Sequence, residues 1–406
     1  MNQKKTITLA LLCSLVVLFQ FCSKNNDSGT GSTTTPTPVD PFAAIKVAFG
    51  TNIDPNNLLN YANQGRPNYI VKDNSGGAVI TNAKATLGRV LFYDKNLSID
   101  NSIACGSCHK QQFAFSDTAV SSKGVAGGMT ARHSMRLINA RFAVETKFFW
   151  DERAATLEIQ TTKPIQDHAE MGFSGQSGRP GIADLLVKLQ AIGYYNELFK
   201  FVYGDVNVTE ARLQECLSSF VRSIQSFDSK YDAGRAQAPN DGAPFPNFTA
   251  QENQGKQLFI APPVFDATGN RIGGGAGCNG CHNAPEFDIA PVSGNNGVIG
   301  KIPPQTGIDI TVTRAPSLRD VVNAAGIENG PLMHVGDIRN LQGAITHYNV
   351  INLAPGNTNL DPKLRPNGFG QHLNLTAADM NSMVAFLRTL SGNNVYTDTK
   401  WSNPFK

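Results

Sequence analysis

The sequence predicts a mainly α-helical fold, divided into two helical domains with long loops. Three observations predict it. Apolar residues recur at helical spacing along several stretches, while no convincing run alternates as a half-buried strand would. A segment rich in Pro, Gly and Asn, 233–247, breaks the chain between two groups of such stretches. One copy of the pentapeptide Cys-x-x-Cys-His falls on each side of that break, Cys105 to His109 and Cys278 to His282.

Taken in order, the chain opens with Lys4 and Lys5, then an apolar stretch from Ile7 to Phe21, the pattern of a secretory leader. The stretch is short for a membrane span and lies very near the start. Residues 1–22 therefore read as a leader, with Cys22 as the lipidated first residue of a mature lipoprotein anchored to the membrane. Phe19, Gln20 and Phe21 fit such a cleavage site poorly, because small residues are usual there, so simple cleavage or retention stays open. Residues 23–42 read as a flexible tether, with only Gly, Ser, Thr and Pro between Ser28 and Pro38.

The first domain is expected over 43–235, with helices at 83–93, 182–199 and 209–227. In the last of these Leu213, Cys216, Leu217, Phe220, Val221 and Ile224 share a face, which makes Cys216 a buried structural thiol. The second domain is expected over 236–395, with helices at 249–259 and 376–390. Thr376 caps the final helix and Asp379 sits in its first turn. Met380, Met383, Val384, Leu387 and Leu390 form its apolar face, and Gly392 stops it. Packing of this last helix on the first domain is left open. Loops rich in Gly, Pro and Asn fill 261–277 and 292–313. The hydrophobic fraction of 41% with 17% charged residues suits a globular chain. A scattered net charge of +3, with no basic run beyond Lys4-Lys5, argues against nucleic acid as a partner.

Cys-x-x-Cys-His is the attachment signature of a c-type haem. Two thiols on a tight turn add to the vinyl groups of one haem, and the adjacent His becomes an axial ligand of the iron. The halves of a zinc ribbon would lie within ~20 residues of each other, whereas these motifs are about 170 apart. Two haem c groups are thus expected, one on Cys105, Cys108 and His109 and one on Cys278, Cys281 and His282. The cysteine count closes: of 7 Cys, Cys13 lies in the leader, Cys22 is the anchor, four carry haem and Cys216 remains. Haem of this type is attached after export, which agrees with the leader and predicts a periplasmic location. Each domain should then be cytochrome-c-like and wrapped around one haem, with the loops supplying part of the haem's surroundings.

From Leu87 onward further motifs follow in order. They are Leu87-Gly88-Arg89-Val90-Leu91-Phe92-Tyr93-Asp94, then Phe149-Trp150-Asp151-Glu152-Arg153-Ala154-Ala155. Next come Glu158-Ile159-Gln160 through Pro164-Ile165 to Glu170-Met171-Gly172. Ala315-Pro316-Ser317-Leu318-Arg319 and His347-Tyr348-Asn349 follow the second haem motif. In these motifs and their order the chain resembles the bacterial di-haem cytochrome c peroxidases and the related methylamine-utilisation enzyme MauG, over roughly residues 84–392.

The resemblance implies reduction of hydrogen peroxide to water, with electrons from a small cytochrome c or copper protein passing through the second haem. It makes Glu170 the distal acid–base residue and Gln160 its neighbour; on sequence alone Glu170 reads as an ordinary surface carboxylate, and the Gln160–Pro164–Glu170 context reverses that reading. It puts Trp150 between the haems, a role compatible with a buried core Trp. Typical relatives close the first haem with a His shortly after the first motif. Here Lys123 to Met129 contains none, so that iron is expected five-coordinate or water-bound, with Met129 either a substitute ligand or packed on the haem edge. His168 either lines the pocket or lies exposed on its loop. Tyr348 falls where the family has the sixth ligand of the second haem, with Met333 as rival; a phenolate there lowers the potential relative to Met. The family's calcium site would use His133 and the carbonyls of Asn329 and Pro331, and His is a poor ligand for a hard cation. The resemblance leaves a homodimer open. Two other functions remain: a MauG-like oxidase acting on a protein or small molecule, and a plain di-haem electron carrier.

Overall fold

The structure is a computed structural model that describes residues 40–289 and 291–406. The leader, Cys13, the lipidation site Cys22 and most of the tether lie outside the described residues. Among those described, the α-helices in chain order are α1 (Ala43–Phe49), α2 (Asn82–Tyr93), α3 (Cys105–Cys108), α4 (Leu157–Gln166), α5 (Ile182–Gln190) and α6 (Gly193–Tyr203). They continue with α7 (Glu210–Ser223), α8 (Lys230–Arg235), α9 (Ala250–Ile260), α10 (Leu341–Asn349), α11 (Ala377–Arg388) and α12 (Asn394–Thr397). Strands are confined to two short antiparallel pairs, β1 (Pro263–Phe265) with β2 (Arg271–Gly274) and β3 (His282–Asn283) with β4 (Asp288–Ile289). No helix among the described residues is long and apolar enough to cross a membrane.

Local chemistry explains the helix starts. The side chains of Thr81, Thr156, Thr209, Thr249, Asn340 and Thr376 each accept a backbone N–H two or three residues into the following helix. The expected helix at 182–199 is broken. Ala191 and Ile192 close back on Val187 and Leu189, and the next helix starts afresh at Gly193. Both halves are amphipathic, so the apolar pattern runs across the break unmarked. Conversely, α4 forms despite Pro164. The proline is in the last turn, so only the one amide bond that its ring nitrogen would make to the Gln160 carbonyl is lost. The loop 261–277 contains the β1–β2 hairpin.

Residues 41–406 form one compact unit with two main apolar interiors. The first gathers residues from Ile45 to Ile224 together with Val395 and Trp401; the second gathers residues from Tyr231 to Leu390. Each contains one intimate helix crossing. On α2 a Cβ added at Gly88 would lie 1.9 Å from the Cys216 carbonyl oxygen on α7. On α9 a Cβ at Gly255 would lie 1.9 Å from the Ser382 carbonyl oxygen on α11. The two glycines head matching segments, Gly88-Arg89-Val90-Leu91-Phe92 and Gly255-Lys256-Gln257-Leu258-Phe259, each a short way before a haem motif. The long final helix α11 thus packs within the second interior. What returns to the first is the tail after it: Tyr93 Oη donates to the Trp401 carbonyl at 2.7 Å, and Arg89 Nε to the Ser402 carbonyl at 2.6 Å.

Candidate active site

Each Cys-x-x-Cys-His segment forms one tight turn on the wall of a cavity. At the first, α3 carries Cys105 and Cys108 within a single helical turn, and His109 N–H closes on the Cys105 carbonyl at 2.9 Å. Gly106 is obligatory here, since a Cβ would lie 2.5 Å from the Tyr93 ring. His109 Nδ1 donates to the Phe115 carbonyl at 3.0 Å, and burial lowers the ring's pKa. The ring is therefore neutral with Nε2 left as the donor atom, the state an iron ligand needs. At the second, Cys278–Gly280 forms a 3₁₀ turn entered through Gly277 at φ +72°, and His282 begins β3. Burial pushes His282 down to about 4, with the Pro316 carbonyl only partly offsetting it, and its Nδ1 has no partner at hydrogen-bond geometry. All four motif cysteines are free thiols. Paired thiols, a neutral imidazole and a largely apolar cavity fit a covalent haem at each place.

The first cavity, about 470 Å³, is lined by Cys105, Cys108 and His109 and, facing them, by Gln160, Pro164 and Glu170. Gln160 and Pro164 come from α4. Glu170 comes from the turn after it, where Asp167 Oδ1 accepts the N–H groups of Ala169 and Glu170 at 2.8 and 3.1 Å. The loop 123–129 clamps this turn from behind. Val125 N–H donates to the Glu170 carbonyl at 3.0 Å, and a Cβ on Gly124 or Gly128 would come within 1.9 or 2.3 Å of the Ala169 carbonyl oxygen. The Glu170 carboxyl makes no hydrogen bond among the described residues, and burial with the nearby Asp167 charge pushes its pKa up to about 7. A carboxyl poised near neutrality in a cavity can both take and release a proton. The Gln160 amide is likewise uncommitted to any described residue.

Other residues singled out in the sequence fall elsewhere. His168 is exposed and its Nδ1 lies 2.9 Å from Ser174 Oγ, so it points away from the cavity that Glu170 faces. Met129 is 45% exposed and does not line the cavity, so it neither ligates nor covers a group held there. Its loop closes backwards onto the Glu170 turn, and that directs the side chain outward.

The second cavity, about 570 Å³, is lined by Cys278, Cys281 and His282 and, across it, by Met333 and Tyr348. The Asn296 amide donates to both candidate ligands, at 3.2 Å to Met333 Sδ and 3.1 Å to Tyr348 Oη. Burial raises the Tyr348 pKa while the Asn296 bond opposes that rise. Both cavities share one wall, built from His133 to Arg136, Trp150, Arg314 and Pro316. Trp150 sits on a turn closed by the Phe148–Ala154 backbone pair, and its indole N–H donates to the His133 carbonyl at 2.8 Å.

The same wall tests the calcium expectation. The His133 ring is buried, held neutral with a pKa pushed down to about 4, and its Nδ1 is used on the Ala119 carbonyl at 2.9 Å. Its Nε2 lies 3.4 Å from Ser116 Oγ. An imidazole so engaged offers no oxygen to a hard cation, and the residues do not fit calcium there. Asn296, Gly124, Gly128, Asp167 and Arg136 were not legible as site residues. Only the Asx-turn pattern of Asp167 carried a local signal.

Comparison with known proteins agrees with this geometry. The family profile described as di-haem cytochrome c peroxidase matches residues 82–238. The methylamine utilization protein MauG of Methylophilus methylotrophus is 29% identical over 322 residues, covering 77% of this chain and 84% of that protein. The cytochrome c peroxidase of Escherichia coli (strain K12) is 28% identical, covering 77% of this chain and 59% of that one. A crystal structure of a MauG-like protein associated with microbial copper homeostasis superposes with a TM-score of 0.64 at 25% identity, covering 84% of this chain and 99% of that one. Residues 82–238 carry the di-haem cytochrome c peroxidase profile, and with matching relatives on both branches and the same fold around two Cys-x-x-Cys-His turns the chain is similar to the bacterial di-haem cytochrome c peroxidases and the MauG-type proteins.

Proposed function

We propose that the protein is a di-haem peroxidase that reduces hydrogen peroxide to two waters, taking two electrons from a small redox protein. The observation that carries this reading is the Glu170 carboxyl, free of hydrogen bonds and held up at about 7 in the cavity of the first haem motif. Cys105, Cys108 and His109 would hold a haem in this cavity, and such a haem, when bound, would supply the reducing equivalents for O–O cleavage. Glu170 takes the proton from the nearer peroxide oxygen and delivers it to the farther one, which leaves as water. Gln160 orients the peroxide with its amide. In this reading Cys278, Cys281 and His282 would hold the second haem with Tyr348 across the cavity, that haem would be the point of electron entry, and Trp150 stands in the wall between the two cavities. The two haem-bearing halves are the stretches 43–235 and 236–395. The protein works on the periplasmic side, and Cys22 tethers it to the membrane. Turnover tests the reading: oxidation of a reduced small cytochrome should track added peroxide at two electrons per molecule, with no oxygen uptake. Oxygen uptake without peroxide would favour a MauG-like oxidase.

Tyr348 gives that second reading its support, since an anionic oxygen ligand suits a haem that stores oxidising equivalents. Tyr348→Phe should change the spectrum of the second haem and raise its potential, by about tenfold in the Fe(III)/Fe(II) equilibrium or ~59 mV. Met333→Leu should leave both nearly unchanged. The reverse pattern in a spectroelectrochemical titration would make Met333 the ligand.

A further inference from the structure

Arg136 stands on the wall shared by the two cavities and lines both of them. Its one hydrogen bond is from Nη2 to the Ser317 carbonyl at 3.2 Å, and its Nε is buried with no acceptor. No carboxylate among the described residues pairs with it. Other interior arginines each reach a carboxylate or several oxygens, although Arg319 Nε is likewise without an acceptor. Arg319 grips Asp232 with two bonds of 2.9 and 3.0 Å, Arg314 meets Asp288, and Arg89 donates to three oxygens. Tyr396 and Asp320 act on Arg136 only from a distance: Asp320 Oδ1 accepts from Gly392 N–H and Tyr396 Oη, its Oδ2 is buried without a partner, and it forms no ion pair with Arg136. A cation on the wall of two cavities, with no carboxylate bonded to it, gains from an anion that reaches it. Burial accordingly pushes Arg136 down to about 10.

We infer that Arg136 is a common counter-ion for the haem groups of both cavities, binding a propionate carboxylate from each side and so raising both reduction potentials together. This rests on the two cavities being haem sites. A fork-shaped guanidinium has donors enough to serve two carboxylates at once, which an ammonium does less well. Its place in the partition, rather than deep in one pocket, is what makes the effect joint. A positive charge there favours the reduced form of each haem, since reduction adds an electron within its field.

The test is a spectroelectrochemical titration of the loaded protein. Haem is first counted as the alkaline pyridine complex, so that a failure to hold two haems, which would defeat the underlying assignment, is told apart from a failure of Arg136. Arg136→Met should shift the Fe(III)/Fe(II) equilibrium of both haems toward Fe(III) by about tenfold each, ~59 mV downward. A shift at one haem only, or at neither, overturns the inference. Arg136→Lys, which keeps the charge, is the second variant. Its potentials should stay near the parent's at neutral pH, and both should fall at a lower pH than the parent's, because an ammonium ordinarily loses its proton ~2 pH units below a guanidinium and burial lowers both. Parallel slopes in parent and Arg136→Lys overturn it as well. Added formate distinguishes the source of the anion. Potentials of the parent should not respond to it, and a formate-dependent shift that Arg136→Met abolishes would assign the site to a free anion instead.

Discussion

Glu170→Gln should slow the peroxide-driven spectral change of the first haem by ~100- to 10,000-fold at saturating peroxide, the usual worth of a positioned acid–base group. Gln keeps the volume and the hydrogen bonding but accepts no proton. Burial holds the Glu170 carboxyl up at about 7, so its base form fills as the pH rises through that value. The parent rate should therefore rise to a plateau above about pH 7, and the variant rate should be flat. Stability runs the other way. A folded-state pKa raised above the ordinary carboxylate value makes a contribution that is complete below that value and is lost as the pH rises through about 7. The Gln variant should thus fold at least as well as the parent at pH 8, so lost activity cannot be blamed on lost structure. Gln160→Ala should cost less, because Gln160 only orients. With His168 facing solvent, no nearby imidazole stands in for Glu170. A stopped-flow rate for Glu170→Gln within about threefold of the parent would remove Glu170 from the proton path.

Gly88→Ala should destabilise the folded chain by about 1–3 kcal/mol, the usual cost of overpacking. Helix propensity alone predicts the opposite sign, since Ala in a helix interior is favoured over Gly by ~1 kcal/mol. The difference is the crossing of α2 with α7, where the added methyl meets the Cys216 backbone carbonyl, which cannot swing aside as a side chain does. The matching change Gly255→Ala on α9 should behave alike, because the same approach recurs against Ser382 on α11. Urea unfolding midpoints measure both. A midpoint unchanged or raised for either variant would mean that the helices separate at no cost.

How far such features could be read in advance depends on their range along the chain. The helices α2, α7, α9 and α11 were legible because apolar residues recur at helical spacing within one stretch, and in α11 Thr376 and Gly392 also mark the two ends. The break between α5 and α6 was not, because two amphipathic helices in sequence present one unbroken apolar pattern. Helix α4 was not among the expected helices; Pro164 lies in its last turn, where it costs a single bond. Met129 was expected as a substitute ligand or on the haem edge, and His168 was left open between pocket and surface; the folding of their loops leaves both side chains exposed.

The sequence by itself determined the cofactor chemistry. Two thiols and an imidazole within five residues need only one turn of backbone to act together, so Cys105 to His109 and Cys278 to His282 declare it without reference to the rest of the chain. The tertiary structure decided what surrounds that chemistry. Glu170 becomes a near-neutral carboxyl through burial and the nearby Asp167 charge, on a turn that the loop with Gly124 and Gly128 holds against the cavity wall. Asn296 meets Met333 and Tyr348 from a distant loop, and Arg136 stands unpaired between two cavities. A pKa or an unpaired charge is set by which atoms exclude water and which answer the charge. Those atoms come from segments far apart in the chain, brought together only when the two apolar interiors form.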